Sequence, residues 1–312
     1  MAIPIFVLGK QRSGTTWLAN QLCEHPQIAG VQHEQHHGIH ESKFFANVYG
    51  RYGDLSQKRN YMEFVEVIST SDYFRLVDAT KEYLYSLYPA TYEEVFRAVM
   101  DRFAEARGCS HWVEKSPTHS PLGPWLAERF PDATFVSIIR DPESTVSSSL
   151  GMAAWADPRI VDQGGVRRSH IVRTVAKWRY YNKVILKLAR RSGRNLVLGF
   201  DELRGDTEAT LRRVCEFLDL PFDPAILNQT YAPNRSAGGG ADEARVLSGG
   251  ETALVRVASA ASRLVPVGLY RVIERRMARA RGHVPLPGSS FRLHPFASDA
   301  GEREPTRAAG EA

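Results

Sequence analysis

Cysteine is scarce, with three in 312 residues. Cys23, Cys109 and Cys215 are widely spaced, odd in number and form no C-x-x-C pair. That excludes a disulfide framework and a structural zinc site as organising devices. A reducing, cytoplasmic compartment fits. Long apolar runs are missing too, and no stretch reaches the roughly 20 residues of a membrane span. The opening MAIPIFVLGK has a short apolar run with no basic flank before it. It reads as a first buried strand rather than a secretory signal. Nor is there a large charge of one sign. Forty Lys and Arg against 35 Asp and Glu leave +5, which suits an anionic ligand but is too small to point to nucleic acid. There is no aromatic–basic RNA signature, no zinc-finger spacing and no internal repeat.

What remains has the composition of a folded domain. The chain is 43% hydrophobic and 24% charged, close to soluble averages. Its length suffices for one large α/β domain, with or without an appendage. Ile3 to Leu8 is a β-rich apolar run closed by Gly9, and helical spacing follows over 16–24. Residues 26–45 are polar, His-rich and irregular. Amphipathic helices are expected at 60–68 and 91–107, the second capped by Thr91 ahead of Glu93 and Glu94. Short strands are expected at 111–114, 133–142 and 195–203, the last followed by a turn. Helices are expected at 124–130, from 144, at 168–191 and at 207–218, with Thr207 as cap. Residues 232–250 read as a mobile loop, and 252–282 as one or two helices. Strands alternating with helices predict an α/β fold, a central parallel sheet flanked by helices on both faces. Residues 1–235 would form that domain. Residues 236–282 would be its glycine-rich loop and C-terminal helical extension, and 283–312 an extended or disordered tail.

Two segments carry chemistry. Gly9-Lys10-Gln11-Arg12-Ser13-Gly14-Thr15-Thr16 lies between a strand and a helix. Its glycines let backbone approach an anion, and the N–H groups opening the helix point at it. Thr15 and Thr16 add hydroxyls, and Arg12 adds a cation. A nucleoside triphosphatase would follow the second glycine with Lys and then Ser or Thr; here Thr15 stands at the lysine position. The loop therefore suits a smaller anion than a triphosphate with its Mg²⁺. The second segment, Arg140-Asp141-Pro142 through Ser148, follows another buried strand. Asp141-Pro142 starts a helix, and Arg140 with Ser148 can clamp a phosphate at the strand's carboxyl end.

Together these segments resemble the PAPS-dependent sulfotransferase superfamily, nearest to its carbohydrate/heparan-type and bacterial branch. QRSGTTWL (11–18) resembles the 5′-phosphosulfate loop. SIIRDPESTVSSSL (137–150) resembles the 3′-phosphate site, where Arg and Ser stand eight positions apart as Arg140 and Ser148 do. VEKSP (113–117) resembles the E-K-S/T-P segment. His40-Glu41-Ser42-Lys43-Phe44-Phe45 resembles K-E-x-x-F-F, with His40 in place of Lys. FDELRGDTEATLRRVCEFLDLPFD (200–223) resembles the late strand–helix block. The match runs in order over about 1–235.

The resemblance implies a P-loop-like fold and transfer of a sulfuryl group from 3′-phosphoadenosine 5′-phosphosulfate (PAPS) to an acceptor hydroxyl or amine, releasing 3′-phosphoadenosine 5′-phosphate. It places Gln11, Arg12, Ser13, Gly14, Thr15, Thr16 and Trp17 on the 5′ side of the donor. Arg140 and Ser148 fall on its 3′-phosphate, with Arg235 on a lid. Glu41 is implied as general base, with Glu34 and the histidines 33, 36, 37 and 40 as rivals, and Lys115 as a group at the catalytic centre. Arg12 would stabilise the bridging oxygen. No metal is required, because a sulfuryl group carries less charge than a phosphoryl group.

The acceptor is expected to be a small molecule, a carbohydrate or a lipid. The aromatic residues of 72–92 suit a ring acceptor or simple packing. The basic amphipathic stretch 267–282 suits peripheral membrane contact or packing on the domain. Alternatives are a metal site in the His/Glu-rich 33–41 segment, a P-loop nucleotide kinase, and a degenerate nucleotide-binding scaffold.

Overall fold

In the first strand, Ile5 and Val7 turn to one side and Phe6 and Leu8 to the other, and none is exposed. A strand buried on both faces needs a layer on each. The computed structural model, which describes residues 1–157, 159–231 and 246–264, has those layers. Five strands form one sheet: β1 (Ile3–Gly9), β2 (Ile28–Gly30), β3 (His111–Glu114), β4 (Thr134–Ile139) and β5 (Asn195–Gly199). Their order is β2-β3-β1-β4-β5, and every pairing is parallel. All carboxyl ends therefore share one edge. The chain leaves β1 toward β2 and leaves β4 toward β5, on opposite sides. The crevice between β1 and β4 is thus the switch point at which such sheets take ligands.

Helices α1 (Thr15–Cys23), α2 (Lys58–Ile68), α3 (Tyr92–Glu105), α4 (Gly123–Arg129), α5 (Pro142–Ala156), α6 (Gly164–Arg191), α7 (Thr207–Phe217) and α8 (Gly249–Ala261) cover the sheet. One face is aliphatic, with Ile5, Val7, Val136 and Ile138 packed on Leu18 and Leu22 of α1 and Leu211 and Val214 of α7. The other is aromatic. Phe6 there meets Phe45, Trp112, Phe130 and Phe135 at centroid distances of 5.3–6.4 Å. Edge-to-face contacts of this kind add to what area alone gives. A third cluster joins α5, α6 and α8 through Val146, Leu150, Ile171, Val175 and Val255.

The expected parallel α/β fold is what the structure has, and Thr91 caps α3 with a reciprocal Glu94 contact. Four local expectations are corrected. Residues 26–45 are not irregular throughout. They hold β2 and a hairpin of Gln32–His33 with Gly38–Ile39. Strands of two or three residues are too short to show alternation, and a distant side chain fixes this pair: Asn20 accepts from Ile39 N at 2.7 Å and donates to His37 O at 3.0 Å.

After β5 comes a helix, Phe200–Gly205, rather than a turn; Glu202 reaches back to Gly199 N at 3.2 Å. And Asp206, not Thr207, caps α7, accepting from Ala209 N at 3.0 Å. Thr207 Oγ1 instead donates to Leu203 O. Gly249 and Gly250, expected in the loop, open α8 under a Ser248 cap. Arg235, the 235 and 282 boundaries, the 267–282 stretch and the tail lie outside the described residues. Among the described residues no helix is long and apolar enough to cross a membrane.

Candidate active site

At the tip of β1 the backbone has no room for side chains. A Cβ on Gly9 would lie 2.5 Å from Thr15 Cγ2 and 2.9 Å from Ile138 O. Ser120 Oγ holds that glycine at both ends, accepting from its N–H at 2.8 Å and donating to its carbonyl at 2.9 Å. The chain then turns through Arg12 (φ 74°) and Gly14 (φ 95°). A Cβ on Gly14 would press on the Phe200 ring at 2.6 Å. Arg12 in this conformation is strained by the order of 1–3 kcal/mol, a cost such loops carry at functional sites. The turn closes by Ser13 N to Lys10 O at 3.0 Å, and α1 starts with Thr15 and Thr16. Ser13 Oγ and Trp17 Nε1 are buried without a partner. Gln11 is half-buried.

The tip of β4 is adjacent. Asp141 caps α5 by accepting from Ser144 N at 2.8 Å, with Pro142 in the first turn. Arg140 lies over the Phe200 ring at 4.2 Å, and its Nη1 is 3.4 Å from Arg12 O. Its Nε is buried and unpartnered. Burial lowers the guanidinium pKa, opposed by Asp141 and Asp201. Trp178 of α6 donates to Arg140 O at 2.8 Å, fixing the turn. The two tips are joined directly: Arg12 Nε donates to Ser148 Oγ at 2.9 Å. Arg12, Arg140 and Ser148 thus meet across the switch-point crevice.

A third group closes the loop from the β3 side. Lys115 is 2% exposed, and its Nζ donates to Thr16 Oγ1 at 3.1 Å and to Glu41 Oε1 at 2.8 Å. Lys43 stands 3.8 Å from the other Glu41 oxygen. Beneath them Glu114 is buried. It accepts from Ser42 Oγ at 2.8 Å, Ser116 Oγ at 2.5 Å and Tyr73 OH at 3.0 Å. Burial pushes its carboxyl up to about 7 against those three donors. Ser116 Oγ also accepts from Lys43 N, so Glu114 ties residues 42–43 to the β3 tip. His119 is buried. Its Nε2 accepts from Phe45 N at 3.2 Å, and burial lowers its pKa to about 3.

Of the rival bases, Glu34, His36 and His37 are exposed. His36 and His40 rings are 3.8 Å apart; burial, then His36, lowers the His40 pKa to about 4. Among the described residues no three His, Cys, Asp or Glu side chains converge as a metal site.

Glu114, Ser42, Phe200 and Lys10 had no expected role, and Tyr73, expected to face a ring acceptor or pack, instead bonds Glu114. Two signals were available. Alternation in HWVE puts Glu114 on the side of Trp112, facing the aromatic core, and alternation in β1 puts Lys10 on the side of Phe6 and Leu8. A charged residue continuing a buried row has a reason to be there. Tyr73 and Phe200 carried no signal beyond their type.

The family model described as "Sulfotransferase family" matches residues 4–224. The chain is 24% identical over 238 residues to a protein-tyrosine sulfotransferase of Drosophila melanogaster, covering 75% of this chain and 41% of that protein. It is 25% identical over 228 residues to protein-tyrosine sulfotransferase A of Caenorhabditis elegans, covering 72% and 52%. It therefore spans about half the length of these curated relatives. Among solved structures, a Mycobacterium tuberculosis sulfotransferase superposes with a TM-score of 0.51 at 15% identity, over 84% of this chain and 77% of that one.

Proposed function

The chain belongs to the sulfotransferase family, and on that footing we propose that it moves a sulfuryl group from PAPS to an acceptor hydroxyl or amine. The observation that carries this reading is the Arg12–Ser148 bond at 2.9 Å, which joins two anion-suited loops on neighbouring strands. Two loops that close suit a nucleotide phosphorylated at both ends. Three buried donors without partners, Ser13 Oγ, Trp17 Nε1 and Arg140 Nε, fit such a ligand.

The bound donor supplies the activated sulfuryl group. The chain's own residues would do the rest. N–H groups and hydroxyls of Ser13, Gly14, Thr15 and Thr16 hold the 5′-phosphate, flanked by Gln11 and Trp17. Arg140 and Ser148 hold the 3′-phosphate. Arg12, between them, offsets charge that develops on the leaving oxygen. Glu41 takes the proton from the acceptor. Lys115 orients that carboxylate and ties it to Thr16, so base and loop keep one geometry.

The acceptor class extends to phenols, since both curated relatives are named for tyrosine. Three free cysteines support a reducing, cytoplasmic setting.

The test is thermal unfolding with 3′-phosphoadenosine 5′-phosphate, adenosine 5′-phosphate and Mg-ATP. At about 100 times its Kd the bisphosphate should stabilise by ~2.7 kcal/mol, and ATP should do little. Stabilisation by Mg-ATP alone would replace this reading with the kinase. Transfer of labelled sulfate from PAPS across an acceptor library then identifies the substrate.

A further inference from the structure

Lys10 is 4% exposed at the end of β1 and has no part in the roles above. Its Nζ has one hydrogen bond, to the Gln11 carbonyl at 3.1 Å. A buried ammonium group ordinarily sits against a carboxylate. Among the described residues Lys10 has none. The charged groups acting on it are Lys177 of α6 and Arg12 of its own loop, both cations.

Among the described residues, the surrounding elements bring no carboxylate to Lys10. Lys10 in turn acts on His170 of α6, which also feels Lys177, Arg173 and Arg167, and whose ring bonds Ser149 Oγ at 2.9 Å. From α5 come Ser148 and Ser149. The 117–122 turn brings Ser120 to Gly9, while its His119 is turned to Phe45 and Glu114. Arg167 is itself neutralised by Glu251. Lys10 therefore lies beside two further cations, Lys177 and Arg12, at the Arg12–Ser148 junction. A buried ammonium group there costs free energy until an anion enters.

We propose that Lys10 is a further donor-binding residue, which receives its counter-ion from the arriving nucleotide phosphate and takes up a proton from solvent as that phosphate binds. The inference rests on the sulfotransferase reading and adds a residue and a proton to it. Burial, then Lys177 and Arg12, hold the free ammonium group down at about 7. A phosphate dianion alongside favours the charged form and raises that value. Free Lys10 is then largely neutral at pH 8 and charged in the complex. His170, lowered to about 4 mainly by burial, stays neutral at that pH.

The experiment is calorimetric titration with 3′-phosphoadenosine 5′-phosphate at pH 8, in buffers of different ionisation enthalpy. The native protein should take up close to one proton per nucleotide bound. Its affinity should fall toward tenfold per pH unit above pH 8. Lys10→Met should take up none and bind at least tenfold more weakly at pH 7. Lys10→Arg, charged throughout, should bind tightly with no uptake and a flat pH profile. Thermal unfolding of both variants checks that they fold. Binding without proton uptake in the native protein, or undiminished uptake in Lys10→Met, overturns this inference and leaves the donor reading intact. Failure of the native protein to bind the bisphosphate overturns the donor reading itself.

Discussion

The two halves of the site are finished to different degrees. On the β1–β4 side, donors wait: Ser13 Oγ, Trp17 Nε1 and Arg140 Nε are buried with nothing to donate to. On the β3 side, the carboxylates are already engaged. Glu114 takes three hydroxyls, and Glu41 takes Lys115. A buried donor without an acceptor is costly, on the order of 1–3 kcal/mol. A nucleotide phosphorylated at both ends would satisfy these three. The carboxylate side must hold its geometry whether or not a nucleotide is present, because a general base is useful only within hydrogen-bond reach of its proton. One half is preorganised by the protein, and the other is completed by what it binds.

Paired variants test that division most severely. Glu41→Gln removes the base and leaves the cradles alone. Turnover should fall on the order of 10²–10⁴-fold, with nucleotide affinity unchanged. Arg140→Ala should do the reverse. Bisphosphate affinity should drop tenfold or more, as for losing a charge-assisted contact worth about 1.5–3 kcal/mol, with a smaller effect on turnover at saturating donor. Equal effects of both variants on binding would erase the distinction.

Glu114 sharpens the comparison through pH. Its carboxyl stands at about 7 in the fold, against an ordinary value near 4.5. A raised carboxyl favours the folded state most when protonated. That contribution is fully present below pH 4.5 and is lost as pH rises to 7. The native protein should therefore lose about 3 kcal/mol of stability relative to Glu114→Gln across that window. His119, His40 and His170, lowered by burial, act oppositely, losing stability as pH falls below 6.5. His40 and His170 are common to both proteins and cancel in the difference, whereas His119, 3.4 Å from Glu114, is coupled to the substitution. A difference curve flat from pH 4.5 to 7 would mean that Glu114 is ionised at no cost.

The half completed by ligand was the more legible in the sequence. A phosphate loop is a local object: Gly9, Arg12, Gly14 and the two threonines lie within eight consecutive residues, and backbone geometry dictates their types. The Arg140–Ser148 spacing is set within one strand end and one helix. The preorganised half is non-local. Glu114 meets Ser42 and Tyr73 only because β3 lies beside β1 and the 41–45 segment folds over both, and no spacing announces that. Glu41 and Lys115 were readable through family resemblance, whereas their support was not. The same holds for the fold. Buried strands showed as apolar runs, but the 32–39 hairpin depends on Asn20, and the choice of Asp206 over Thr207 depends on where Phe200–Gly205 ends.

The smallest effects discriminate most finely, because they are read on the protein without ligand. Ser13 and Ser42 are both serines beside the site, and each hydroxyl differs only in what it touches. Ser42→Ala withdraws one donor from the buried Glu114 carboxylate and should cost about 1–3 kcal/mol in the free protein. Ser13→Ala deletes a buried hydroxyl that has no partner, so the free protein should lose no stability and gain up to about 1–3 kcal/mol. Addition of 3′-phosphoadenosine 5′-phosphate should then stabilise Ser13→Ala by about 1 kcal/mol less than the native protein, the net worth of one neutral hydrogen bond. Denaturant melts with and without nucleotide measure all four quantities. A Ser13 variant that is destabilised before any ligand is added would mean that the loop hydroxyl already has a structural task, and the contrast between a waiting half and a finished half would fail at its most sensitive point.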